Sequence, residues 1–185
     1  MFVRDDPSEK RLKSYMDKES FGQKEEKILR SLGRVFRFSN TWFLTIAPGG
    51  IVGAVLTFSG LWGVPFLTEV YHLENATAAT LCSLVMLAWA LSGPIYSLVS
   101  ERIQLRRMPY LIGTMISLIS WSLVFLIPGW SLGVLSLLLF LAGFFSGGMI
   151  LGFAQGKETL PLSLSGTVSG VINMGVLTGP MLLQP

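Results

Sequence analysis

SLVSERIQLRRMP, residues 97–109, sets one glutamate and three arginines between two long apolar runs, Ala76–Ser100 and Met108–Ile127. A pair of soluble helices would carry charge along the whole length of its wet face. Here charge is confined to the short connection, and the runs on either side have none. Two apolar elements joined by a cationic turn describe two crossings of a bilayer.

Outward from that turn the same pattern holds. Residues 1–37 contain 10 of the 14 Lys and Arg and 7 of the 11 acidic residues, so the chain beyond Phe38 is nearly uncharged. Only 14% of the sequence is charged and 51% is hydrophobic, whereas about a quarter of a soluble domain is charged. Too few polar side chains remain to cover a water-facing surface, which excludes a soluble domain.

A membrane-spanning helix needs roughly 20 apolar residues. The uncharged stretches are 38–68, 75–100, 108–156 and 159–185. The third is too long for one crossing and divides at IPGW, residues 127–130, where Pro128 and Gly129 mark a turn. Five helical spans are predicted near 42–68, 76–99, 109–127, 131–154 and 161–184. The runs are continuous and rich in leucine, without the alternation of a barrel strand. The expected fold class is all-α, a polytopic membrane helix bundle over 39–185 preceded by a polar segment, 1–38.

Lys and Arg are retained on the cytoplasmic side of short loops. With the N-terminus inside, every Lys and Arg falls on that side, and the outer connections at 69–75 and 128–130 carry only Glu69, His72 and Glu74. The C-terminus then lies outside. In the N-terminal segment, Phe21, Ile28, Leu29, Leu32, Val35 and Phe36 recur at helical spacing among Lys24, Lys27, Arg30, Arg34 and Arg37. Such a basic amphipathic stretch suits either an anionic lipid interface or a plain cytoplasmic linker. The net charge of +3 points to no nucleic acid, because orientation accounts for the arginines. No signal peptide is evident after Met1.

Within the runs, Gly49, Gly53, Gly143, Gly147, Gly166, Gly170, Gly175 and Gly179 form small-residue intervals suited to close helix packing. Polar groups in hydrocarbon need partners. Asn173, expected near the middle of the fifth span, either lines a solute route or bonds another helix; Trp62 and Gln155 are further pathway candidates. Lys157 and Glu158 are candidates for an ion pair at the inner end of span four. Cys82 stands alone and reads as an apolar filler. No phosphate loop, metal-ligand spacing or nucleophile with a base is present, so neither an enzyme nor a cofactor or metal is expected.

GPIYSLVSERIQLRR, residues 93–107, resembles the signature turn of the major facilitator superfamily: Gly, three residues, Asp-Arg, any residue, Gly, then two basic residues. Ser97 takes the first Gly position, Glu101 the Asp and Arg102 the Arg. Gln104 replaces the second Gly, Leu105 the first basic residue and Arg106 supplies the second, with Arg107 following. These departures resemble the degenerate copy in the C-terminal half of such transporters. VRDDP (3–7) is similar to the tail after their sixth helix. SGLWGVPFLTEVYHLENATAAT (59–80) is similar to the seventh helix and the start of the eighth, and GFAQGKETLPLSLSGTVSGVINMGVLTGPMLLQP (152–185) to helices ten and eleven of bacterial organic-solute members.

The resemblance implies helices seven to eleven of a twelve-helix fold built from two halves that rock about a central solute. On that basis the chain is an incomplete major-facilitator-type C-terminal half in a bacterial inner membrane. It would lack an N-terminal six-helix half and a twelfth helix, and would be inactive alone. Glu101, Arg102, Arg106 and Arg107 would form a conformational gating turn. The complete protein would move a small organic solute, coupled to protons, as a symporter or antiporter. The alternative is a non-transporting membrane sensor or structural subunit.

Overall fold

The computed structural model describes residues 28–184; residues 1–27, with most of the basic segment, lie outside it. The described residues are all helical elements and connections, with no strand. Helix α1 is Ile28–Phe36. The first long helix, Ser39–Tyr71, consists of α2 (Ser39–Thr57), a π-helical turn (Phe58–Trp62) and α3 (Gly63–Tyr71). Then come α4 (Asn75–Ile103) and α5 (Arg107–Leu126). The fourth long helix, Leu132–Thr159, joins α6 (Leu132–Ser146) to α7 (Ile150–Thr159) through a 3-10 turn at Gly147–Met149. A second 3-10 turn, Leu162–Leu164, leads into α8 (Ser165–Leu183). Five helices are thus long and apolar enough to cross a membrane.

Helix ends extend beyond the apolar runs wherever polar residues continue the helix. Thus α4 reaches Ile103, and α7 reaches Thr159 with Gln155, Lys157 and Glu158 still helical. The last helix begins later than expected, at Ser165. Leu160 is extended, as the ring of a following proline requires, and the residues after Pro161 form a tight turn before α8. At IPGW the break lies where Pro128 and Gly129 predict it. Gly129 has φ 97°, and the Trp130 indole donates to the Leu123 carbonyl at 3.0 Å, closing the turn onto α5.

In a bilayer, helices gain little from hiding apolar surface from one another, so close backbone approach has to hold them. The seam between α2 and α8 supplies it. A Cβ on Gly175 would strike the Thr45 carbonyl, one on Gly179 the Gly49 carbonyl, and one on Gly53 would lie 2.9 Å from the Gly179 backbone. Gly143 packs on the Val85 backbone and Gly147 on Ser92, locking α6 against α4. The interface of α5 with α6 is polar: Ser117 and Ser146 are 2.9 Å apart, and both donate to the Ala142 carbonyl. The expectation of tight neighbours fails at Gly166 and Gly170, which face open space among the described residues. Outward-facing Phe43, Leu126 and Leu182 are strongly exposed, a liability in water and a suitable surface in lipid.

These contacts fix the relative directions of the helices. In the α2–α8 seam, Gly175 meets Thr45, Gly179 meets Gly49 and Leu183 meets Gly53, so the two run parallel. The long helices otherwise alternate, which gathers α1, the α4–α5 turn and the α7–α8 connection at one end. Val35, Leu44, Leu160, Leu164, Val168 and Ile172 form the cluster there, with Leu32 and Phe36 packed on it. The described part of the amphipathic segment therefore packs its apolar stripe on protein. At the opposite end, Tyr71 donates to the Val124 carbonyl at 2.9 Å, and the larger core cluster around Phe58, Trp121 and Leu139 fills the bundle.

Candidate functional site: a charged latch and outward polar residues

All described Lys and Arg side chains belong to elements gathered at the α1 end, while Glu69, His72 and Glu74 lie at the other. His72 ends α3 in the left-handed conformation at φ 53°, its amide reaching the Leu67 carbonyl.

The α4–α5 turn is built locally. Helix α4 stops because Gln104 is left-handed at φ 53°, and its side-chain amide donates to the Glu101 carbonyl at 2.6 Å. Ser100, buried, donates to the Leu105 carbonyl at 2.9 Å, folding the turn back on the helix end. Arg106 then donates to the Ser100 hydroxyl at 3.2 Å and pairs through Nε with Glu158 Oε1 at 3.0 Å. One guanidinium thus ties the turn to the end of α7. Glu158 is paired across the bundle, and Lys157 beside it has no ion pair among the described residues. Ser97 donates to Glu101 at a long 3.5 Å. Glu101, Arg102 and Arg107 are exposed and make no ion pair among the described residues.

Sequence reasoning passed over Ser100, which both shapes the turn and holds Arg106. Its signal was a small hydroxyl just before the charged knot, a common feature that does not stand out alone. Arg106 and Glu158 were separate candidates; the fold joins them.

Asn173 lies on the exposed face of α8, opposite the seam with α2, and makes no side-chain hydrogen bond among the described residues. It therefore does not bridge two helices of the described bundle. It sits about 12 Å along the axis from Ser165. Asn173 adjoins the middle residue of the 19 in α8, level with the stretch before Thr45 near the start of the first long helix. Gln155 is half-buried at a similar level, because its neighbour Gly156 packs on Ile172, the neighbour of Asn173. Trp62 is far from both, on the distal part of the first long helix.

Trp62 is 49% exposed because of the π turn. The buried positions Leu44, Pro48, Val52 and Val55 would continue in a regular helix to Trp62 and Phe66. The wide turn adds a residue, so Gly63 and Leu67 face inward instead. Pro65 accounts for the position of the turn: it cannot donate to the Leu61 carbonyl, and its ring crowds that carbonyl. A Cβ on Gly63 would meet Cys82 Sγ at 2.5 Å, so the inward position admits no larger residue without movement. Cys82 is buried there as packing. The hydroxyls of Thr57, just before the turn, and Ser59, within it, are buried with no hydrogen-bond partner among the described residues.

The protein-family model of the Major Facilitator Superfamily matches residues 1–183. No curated protein matches the chain. A match over nearly the whole sequence accords with five apolar helices in one all-α bundle and a charged turn between the second and third. The chain is therefore a multi-pass membrane protein belonging to the major facilitator superfamily, whose members are transporters and not enzymes.

Proposed function

We propose that the chain supplies helices seven to eleven of a secondary transporter for a small organic solute, proton-coupled in the complete protein, in a bacterial inner membrane with the N-terminus cytoplasmic. The family match supports a transporter of this superfamily, and the likeness of 93–107 to the degenerate copy of the signature turn supports the C-terminal half. The observation that carries the functional reading is that Asn173 faces out of the bundle on α8 with no partner among the described residues. A carboxamide in that position needs a second polar surface, which a solute bound against an N-terminal six-helix half would provide.

In this reading the Arg106–Glu158 pair is a latch. Its partners are 29% and 53% exposed, and exposed pairs contribute about 0–1 kcal/mol. That is too little to anchor the bundle but enough to bias two close conformations. The glycine seam is the rigid part and the latch the part that opens. Asn173, with Gln155 at its level, lines the route, and Trp62 borders it at the far end.

The test is solute uptake by vesicles, with and without a proton gradient. The 185-residue chain alone is expected to show no saturable flux, and its co-reconstitution with a complement carrying the six-helix N-terminal half and the twelfth helix to restore it. Saturable flux from the chain alone would overturn the need for a second half. Solute binding without flux in the reconstituted pair would favour the non-transporting sensor.

A further inference from the structure

Close to the turn that joins them, α4 and α5 leave a gap between their side chains, and α6 lies across it. The result is a side-open groove of about 320 Å³ whose lining exposes no polar surface. Ile95, Val99 and Ile103 of α4 form one wall, Met108 and Ile112 of α5 the other, and Phe145 of α6 part of the floor. The wall residues nearest the turn, Ile103 and Met108, are flanked in sequence by Arg102 and Arg107. Arg102 also follows Ile95 and Val99 at helical spacing, which sets it on the edge of the same α4 face. Neither arginine has an ion pair among the described residues, whereas Arg106 between them is held by Glu158. Helix α5 starts at Arg107 with no side-chain cap, so its positive dipole end adds to the field at the groove mouth.

We infer that this groove is a binding site for an anionic phospholipid of the surrounding bilayer, one acyl chain lying between α4 and α5 and the phosphate held by Arg102 and Arg107. Charge complementarity selects the occupant. A neutral apolar segment would fill the groove but leave two arginines uncompensated, and a soluble anion would engage the arginines but leave the groove empty. A phospholipid does both at the depth where its headgroup and chain already lie. A lipid bridging α4 and α5 would also restrain the turn that carries Arg106.

The test is native mass spectrometry of the full chain extracted from vesicles of equal phosphatidylcholine and phosphatidylglycerol. One phosphatidylglycerol is expected to be retained in preference. Replacing Arg102→Gln and Arg107→Gln together should lower that preference on the order of 20-fold, at about fivefold per arginine near an anionic surface. Val99→Trp, which fills the groove and leaves the charges, should lower retention as well. If its thermal melt shows misfolding, the milder Ile112→Phe provides the same reading. Arg37→Gln, at the same end but away from the groove, should behave as wild type. Equal retention of the two lipids by wild type, or an unchanged preference in the arginine double variant, overturns the site. So does an equal loss in Arg37→Gln, which would indicate a diffuse charge effect. Displacement of the lipid by millimolar inorganic phosphate, with Val99→Trp silent, would assign the arginines to a soluble anion and also overturn it.

Discussion

Arg106 joins three things through one guanidinium: the buried Ser100 hydroxyl, the turn it shapes, and Glu158 on another helix. In a double-mutant cycle of Arg106→Gln and Glu158→Gln, the coupling in thermal stability is expected at about 0.2–1 kcal/mol. Arg106→Gln should be the more costly single change, since it also deprives Ser100 of its donor. A coupling well above that range would make the pair a structural anchor rather than a latch. Two glycines of similar appearance in the sequence should behave oppositely. Gly179→Leu meets the Gly49 backbone, while Gly166→Leu meets open space. The first should destabilise by about 1–3 kcal/mol or more, because backbone cannot yield as a side chain can; the second should stay within about 0.5 kcal/mol. Melting temperatures of the two variants check this. Asn173→Ala, at an exposed position, should likewise leave stability within about 0.5 kcal/mol while lowering transport per folded molecule in the reconstituted pair. Unchanged affinity and turnover would remove Asn173 from the pathway.

At the scale of elements, the wide turn at Phe58–Trp62 accommodates one residue more than a regular helix. Deleting Gly60, whose Cβ position is open, should convert it to a regular turn and keep Leu67 inward. Deleting Ser83 from the regular α4 has no such reserve. Everything beyond it would rotate by about 100°, carrying Val85, Ala88 and Ser92 off the core. The Gly60 deletion should therefore express and melt close to wild type, and the Ser83 deletion should not. The opposite order would show that the wide turn sets no register. The proline and glycines of this stretch were plain in the sequence, but the direction in which they turn Trp62 was not. A helical wheel assumes one constant period and places Trp62 in the core; one wide turn shifts the phase of everything after it.

At the scale of the molecule, the gathering of every described Lys and Arg at one end gives the orientation a direct test. In a Cys82→Ala background, single cysteines at Gln104, Asn75 and Gly129 should divide by side in intact cells. An impermeant thiol reagent added outside is expected to label Asn75 and Gly129 and to spare Gln104. Labelling of Gln104 would invert the bundle.

The number of helices, their apolar character, the break at Pro128–Gly129 and the gathering of the cations at one end were all determined by the sequence itself. They are one-dimensional properties: a run long enough to cross hydrocarbon and a count of charges between runs. The signature turn was legible for the same reason, since its residues lie within one short segment. Only the tertiary structure decided that Gly175 and Gly179 form a seam while Gly166 and Gly170 do not, that Asn173 faces outward, and that Arg106 finds Glu158 52 residues away. Those outcomes depend on how far each helix is rotated about its axis. That rotation is set jointly by backbone contacts between α2 and α8, between α4 and α6, and by the wide turn in the first long helix, and no local stretch of sequence encodes it.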